Sequence, residues 1–476
     1  MIDDIIRFQA ALNGDAPAFV APNMTRSFAK MEADIRRAVY ELRDFPVPPG
    51  EAAAVAIKRP YNQWVVILAL ARLGIASAPP NDMRARFRIT TQETDEAEHR
   101  LLLSPQDVKR IISGPDRPYV RTSADPDALG RVALTSGTTG TPKRVAISWR
   151  AIQGHAAQAM ALHSDIAGPW LVTMGSQTIS GYRHAVAAWA MGKSVAAEVG
   201  PAAEAIAILK PGLLVLNPVH LMRLLDRFPG PARWPVRVFC GGSVTPLPLL
   251  RRLCREFSAD VILRYASTEA GQIATATPRM IEEEPRAVGY PSPGVEIRIV
   301  DDDWNALPPG ATGRFCIRTD RLASGYLDDR ALTGQCFRDG WFLSRDLGRR
   351  RQDGLLIVEG RTDDVMNLGG HKVSTSQIED LARQTPGVGE AAAFPFRTET
   401  GVDQCGLALV RGAQFDPARL RRQLGAVLTL AQEVQFLFCK SLPHTPAGKV
   451  DRMKLQEMAA VTFRSPAPSS RRVADQ

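Results

Sequence analysis

The hydrophobic positions of this chain switch between two periods along its length. Between Ser27 and Leu42, the residues Phe28, Met31, Ile35, Val39 and Leu42 recur three and four apart, which predicts an amphipathic helix with one buried stripe. Ala52–Ile57 is a short continuous apolar run, read as a strand. Tyr61–Leu73 is a longer one, read as a buried helix that stops at Gly74. Strand and helix signals alternating over residues 1 to about 120 predict a mostly parallel α/β sheet. The alternation continues with a strand at Val132–Leu134, a helix at Ala151–Leu162, and strands at Trp170–Met174, Val236–Cys240, Val261–Leu263 and Val295–Val300. Towards the C-terminus, strands near Ala391–Phe396 and Gly406–Val410 precede a helix at Asp416–Leu428, with Pro417 in its first turn. After Phe463 the chain becomes Ser-, Pro- and Arg-rich, a composition that predicts disorder.

With 476 residues the chain can bury a large core and divide into at least two domains. Its 45% hydrophobic and 23% charged residues are ordinary for a soluble globular protein. The net charge of +9 is spread along the sequence and reads as an arginine-rich surface rather than a focused field. The short runs Arg349–Arg351 and Arg421–Arg422 have no interleaved aromatics, so no nucleic-acid partner is expected. Six scattered cysteines (240, 254, 316, 336, 405 and 439) form no C-x-x-C pair, which argues against a zinc site or a disulfide framework and for a reducing compartment. The start, M-I-D-D-I-I-R-F, carries acid where a secretion signal needs base. The longest apolar run, Trp64–Ala71, ends at Arg72 and is too short to span a membrane. The expectation is a soluble cytoplasmic protein with no membrane partner.

Chemistry concentrates at Leu134–Val145, which reads L-T-S-G-T-T-G-T-P-K-R-V. Thr135, Ser136, Thr138 and Thr139 are threaded around Gly137 and Gly140, and Lys143 closes the run. Glycines let successive backbone N–H groups turn toward one point, while hydroxyls and an ammonium add donors there, so the stretch suits phosphate oxygens. It lacks Walker spacing, and a plain polar turn is the competing explanation. Further along, Gly241-Gly242-Ser243 follows a strand, where a glycine pair lets a flat ring approach the backbone. A second strand runs into Tyr265-Ala-Ser-Thr-Glu269. Asn367–Glu379 contains Gly369, Gly370, His371 and Lys372 ahead of a helix with Ile378 and Leu381 that Ser374 or Thr375 can cap. Last comes Leu442-Pro-His-Thr-Pro-Ala-Gly-Lys449-Val-Asp-Arg452.

Together and in this order, these stretches resemble the motifs of the adenylate-forming superfamily: acyl-CoA synthetases, peptide-synthetase adenylation domains and luciferases. The resemblance covers residues about 20 to 460 and is closest to the acyl-CoA synthetases. It implies a large N-terminal α/β domain of mixed sheets with flanking helices over 1–362, and a small mobile α+β domain over 363–462. A disordered tail would occupy 463–476. By the same resemblance Thr135–Lys143 holds phosphate, Gly241 and Gly242 line the nucleotide, Tyr265 stacks near adenine, and Thr268 binds phosphate. Glu269 would hold Mg²⁺, Asp346 and Arg361 would face the ribose, and Asp363 would be the hinge. Gly369, Gly370, His371 and Lys372 would flank the thiol, and Lys449 would be the catalytic cation. The chain departs from the pattern at Ala266, which replaces a glycine and narrows the acyl end, and at Ser344-Arg345, which replace Thr-Gly. The family's acyl-pocket segment falls at Ser176–His184, but Gln177, Thr178 and Ile179 stand before Gly181 where an aromatic or His is usual. Tyr182 or His184 could line that pocket, though His184 reads better as a structural histidine.

The implied activity is ATP- and Mg²⁺-dependent activation of a small-molecule carboxylic acid, followed by transfer to coenzyme A. The moderate positive charge suits both anionic substrates. Loading of an acyl carrier protein is one alternative, and a non-catalytic nucleotide-binding relative is another. Glu269, Asp346, Arg361 and Lys449 occurring together favour an enzyme.

Overall fold

The computed structural model describes residues 2–93, 97–122, 124–135, 142–196, 202–228, 233–362, 365–368, 371–397, 403–425, 434–445 and 449–464. The chain divides into two compact units, Met1–Ser344 with Arg349–Val358, and Arg345–Gly348 with Glu359–Gln476. The crossover falls inside the strands Trp341–Arg350 and Leu356–Arg361.

The large unit is built on two mixed sheets. In one, Pro17–Ala21, Val195–Ala196, Trp170–Val172, Leu213–Leu216, Arg237–Gly241 and Val261–Ser267 lie side by side and parallel. Gly271–Ala276 and Ala287–Pro291 then continue it antiparallel. In the other, His99–Leu102, Phe87–Thr90, Ala52–Ala56, Ala76–Ala78 and Leu129–Thr135 are parallel. Lys143–Ser148 and Gly325–Tyr326 close this second sheet antiparallel. Strands buried on both faces, such as Ala52–Ala56 and Leu213–Leu216, are continuous apolar runs, as parallel sheets require.

Helices fill the space around the sheets for local reasons. Ser27 caps Phe28–Leu42 by accepting from the Lys30 N–H, and the predicted stripe from Phe28 to Leu42 is buried. Pro60 opens Pro60–Arg72, which is buried from Trp64 onward, including Arg72. Arg72 is tied to Glu32 by two hydrogen bonds of 2.9 and 2.8 Å. These helices share one core with Trp149–His163 and Ile179–Ala190.

The second unit holds a three-stranded sheet, Val388–Arg397 antiparallel to Asp403–Arg411, which runs parallel to Val434–Cys439. A hairpin of Val365–Leu368 and His371–Ser374, with helices Thr375–Arg383, Pro417–Leu424 and Arg452–Arg464, completes it. Several boundaries differ from the sequence reading. The Trp170 strand ends at Val172, and the chain turns at Gly175, whose φ of +63° favours glycine. Asp416 is the cap of its helix rather than its first residue, accepting from the Ala418 N–H at 2.9 Å, and the helix ends at Leu424. The helix of the small unit begins at Thr375, so its cap position is Ser374; the Thr375 hydroxyl is buried without a hydrogen-bond partner. The final helix carries Phe463, and residues 465–476 lie outside the described part.

Candidate active site

The hairpin Leu129–Thr135/Lys143–Ser148 brings Thr135 directly opposite Lys143. Ser136, Gly137, Thr138, Thr139 and Gly140 lie outside the described residues, so only the base of the expected phosphate cradle is visible. That base is braced: Arg144 donates to Asp82 at 2.9 Å and to Asp328 at 3.1 Å. The strand Gly325–Tyr326 adds to the hairpin, with Tyr326 opposite Val145. The Lys143 ammonium lies 5.3 Å from the centre of the Tyr326 ring, within range of a cation–π contact. The Tyr326 hydroxyl donates to Oε1 of Glu269 at 2.9 Å. Tyr326 therefore joins the expected phosphate lysine to the expected metal carboxylate. Sequence reading missed it; the only local signal is a Gly-Tyr pair flanked by the acidic residues Asp328 and Asp329.

Thr268 and Glu269 occupy the turn between the strands Val261–Ser267 and Gly271–Ala276. The turn is fixed at both ends. The Ser267 hydroxyl accepts from the Ala270 N–H at 3.0 Å, and the Ala323 N–H donates to the Glu269 carbonyl at 2.7 Å. Gly271 has φ +70°, and a Cβ there would sit 2.2 Å from the buried His155 ring, so no other residue fits. Glu269 supplies one half-buried carboxylate, and among the described residues no cluster of three or more His, Cys, Asp or Glu is arranged to bind a metal alone. A hard divalent cation at Glu269 would complete its oxygen shell from the phosphates of a substrate, a donor set that fits Mg²⁺.

Gly241 ends the strand Arg237–Gly241 and pairs with Arg264, whose Cγ would lie 2.3 Å from a Cβ at Gly241. Gly242 follows with φ +106°. Tyr265 lies half-buried on the neighbouring strand, its ring edge-on to Phe315 with centroids 5.9 Å apart. These residues and the Thr268–Glu269 turn occupy the same end of adjacent strands, where parallel sheets commonly bind ligands.

The remaining expected residues belong to the second unit. Asp346 and Arg361 lie together, Oδ1 to Nη1 at 3.5 Å, and the Thr362 N–H donates to the Arg345 carbonyl at 2.7 Å. Asp363, Gly369 and Gly370 lie outside the described residues. His371 and Lys372 sit on a hairpin strand, His371 opposite Leu368 and Lys372 opposite Asn367. Lys449 is exposed and closes a turn in which the Thr445 N–H donates to the Lys449 carbonyl at 2.7 Å. Arg452, three residues on, anchors the segment by donating to Glu379 at 2.8 Å and to the Ala393 carbonyl at 3.0 Å.

The helix Ile179–Ala190, at the expected acyl-pocket segment, is buried with unusual polarity. Tyr182 and His184 are fully buried, and His184 Nδ1 is 2.7 Å from the Ser180 carbonyl. Burial and the nearby Arg183 push His184 well below its usual range, and burial pushes His155 and His163 down to about 3, so all three are neutral at pH 7. Arg131 is also buried, donating to the Ser77 hydroxyl at 2.8 Å and the Ser176 carbonyl, with its guanidinium 4.3 Å from the Tyr182 ring centre. The positive charge is thus not confined to the surface, as the sequence had suggested.

A profile of the AMP-binding enzyme family matches residues 86–327. The chain is 27% identical to a 2-succinylbenzoate–CoA ligase of Geobacillus kaustophilus over 92% of its length and 94% of that protein. It is 31% identical to a sulfoacetate–CoA ligase of Cupriavidus necator, over 69% of this chain and 67% of the relative. In fold it is similar to o-succinylbenzoate CoA synthetase of Bacillus subtilis solved with its acyl-adenylate intermediate, with a TM-score of 0.79 and 21% identity, covering 95% of this chain and 97% of that one. The matched segment encloses the threonine–glycine hairpin, the Gly241–Gly242 turn, the Thr268–Glu269 turn and Tyr326, and the chain belongs to the AMP-binding enzyme family.

Proposed function

We propose that the protein is an AMP-forming acid–CoA ligase. The carboxylate of an acid attacks the α-phosphorus of ATP, the bond to the bridging oxygen breaks, and pyrophosphate leaves, giving an acyl-adenylate. The observation that carries this reading is the linkage of Lys143, Tyr326 and Glu269, in which one tyrosine meets a cation with its ring and a carboxylate with its hydroxyl beside the Leu129–Thr135/Lys143–Ser148 hairpin. In this reading the N–H groups and hydroxyls of Thr135, Ser136, Gly137, Thr138, Thr139 and Gly140, with Lys143, hold the departing pyrophosphate. Thr268 holds the α-phosphate, and Gly241, Gly242 and Tyr265 hold the base. Asp346 accepts from the ribose hydroxyls, with Arg361 orienting the carboxylate. A bound Mg²⁺ at Glu269 supplies charge neutralisation to the phosphate oxygens. Lys449 adds a second positive charge where negative charge grows in the transition state.

In the second step a thiol attacks the acyl carbon and AMP leaves. Gly369 and Gly370, with His371 and Lys372, serve this step after the small domain, 363–462, pivots at Asp363 and withdraws Lys449. Coenzyme A is the acceptor, and the enzyme works in the cytoplasm. Incubation with ATP, acid and either coenzyme A or a phosphopantetheinylated carrier protein tests this. Free thioester with coenzyme A supports the reading, and acylation of the carrier alone refutes the acceptor.

A further inference from the structure

The strand that leads to Glu269 carries a second charge that the reaction above does not use. Arg264 is half-buried on Val261–Ser267, with its guanidinium against the Met174 sulfur at 3.2 Å and 5.6 Å from the Phe239 ring centre. Its Nε is enclosed and has no hydrogen-bond partner. No carboxylate pairs with Arg264 among the described residues. Arg264 occupies the place above Gly241 that any larger residue would block, so the fold makes room for it.

A second arginine stands behind it. Arg183 is 1% exposed, and its amino groups donate to Gln158 and Gln272, neutral amides that cannot offset its charge. Ala266 lies directly opposite Gln272, and opposed residues of an antiparallel pair share a face of the sheet. Tyr265, next to Ala266 on the strand, instead packs its ring against Phe315. Arg264 and Arg183 are close enough to repel each other, and burial lowers the proton affinity of both. The nearby His184 and His163 stay neutral and supply no counter-charge. Enclosed guanidinium groups with no carboxylate beside them are costly unless an anion joins them.

We infer that this face is the acid-binding wall and that the acid carries a second anionic group, a carboxylate, sulfonate or phosphonate, bound by Arg264 with Arg183 behind it. The inference rests on the proposed acid activation for the position of the reacting carboxylate. Three residues of strand, about 10 Å, separate Arg264 from Ser267, which leads into the Thr268–Glu269 turn. The second charge is therefore spaced from the reacting carboxylate by a ring or short chain. An arginine fork suits a planar or tetrahedral oxyanion through paired N–H donors.

The test compares terephthalate, 4-sulfobenzoate, 4-phosphonobenzoate, succinate and glutarate with monomethyl terephthalate, monomethyl succinate and benzoate. Two readouts are used: calorimetric binding in the presence of a non-hydrolysable ATP analogue, and ATP–pyrophosphate exchange. At least one doubly charged acid is expected to exceed its singly charged partner by about 30-fold or more, the loss typical when one member of a buried charge pair is removed. Arg264→Gln should erase that gap while ATP-analogue affinity holds, and Arg264→Lys should keep part of it. The ester comparison on the wild type stands even if a variant fails to fold. Equal binding of the singly charged partners, or a gap that survives Arg264→Gln, overturns the inference. Exchange driven only by singly charged acids would leave acid activation standing and remove the second anion. Tight, Arg264-dependent binding of a doubly charged acid without exchange would do the reverse.

Discussion

Replacing Tyr326 with Phe removes one oxygen from the site and leaves the rest of the side chain in place. Tyr326 is 7% exposed, and its ring packs edge-on to Phe337 at 5.8 Å. Phe keeps that contact and keeps a π-face beneath Lys143. What is lost is the 2.9 Å hydrogen bond from Oη to Glu269. A hydrogen bond to a charged group contributes about 1.5–3 kcal/mol, and this one lies in a half-buried setting, so the lower end applies. At about 1.5 kcal/mol, roughly a tenfold effect is expected if the bond holds Glu269 in its working orientation. The assay is ATP–pyrophosphate exchange as a function of Mg²⁺ concentration. Tyr326→Phe should cut kcat/KM about tenfold and raise the Mg²⁺ needed for half-maximal rate. Melting temperature should move little, since the ring stays buried. Exchange within twofold of wild type across the Mg²⁺ range would refute the idea that Tyr326 orients Glu269.

Other consequences are equally direct. Gly271→Ala places a methyl 2.2 Å from the His155 ring at a φ of +70°, and about 3 kcal/mol of destabilisation is expected in chemical denaturation. A loss below about 1 kcal/mol would mean that the Thr268–Glu269 turn is not pinned there. His155 and His163 are held near 3 in the folded chain and revert to about 6.5 when unfolded. Below pH 6.5 the unfolded state therefore binds more protons, and stability falls as pH drops from 7.5 to 5.5. The slope is at most about 1.4 kcal/mol per pH unit for each histidine, and a His163→Phe variant that folds should show a shallower one. Stability that is flat or rising toward pH 5.5 would contradict the burial of neutral rings.

Much of the fold was legible because its signals are local. The stripe from Phe28 to Leu42 and its Ser27 cap lie within one stretch of chain, and the helix forms between those residues. The Thr268–Glu269 and Gly241–Gly242 turns were legible because each follows a strand with glycine or hydroxyl punctuation. Tyr326 was not, because its meaning comes from pairing with Val145 and from a bond to Glu269, 57 residues away in sequence. A two-residue strand has no period to read. The buried arginines were hidden for a related reason. Composition assigns arginine to the surface, and only the three-dimensional neighbours of Arg131, Arg183 and Arg264 show that they face inward.

The central claim, that this chain activates an acid on ATP, is tested most directly by acid-dependent ATP–pyrophosphate exchange with Mg²⁺. Wild type and Lys449→Ala would be compared over a library of aliphatic, aromatic and doubly charged acids. Exchange driven by one acid class and reduced at least about 100-fold in Lys449→Ala is the expected result, since a cation at the developing charge typically contributes that much. ATP binding without exchange on any acid, or full exchange in the variant, would contradict it.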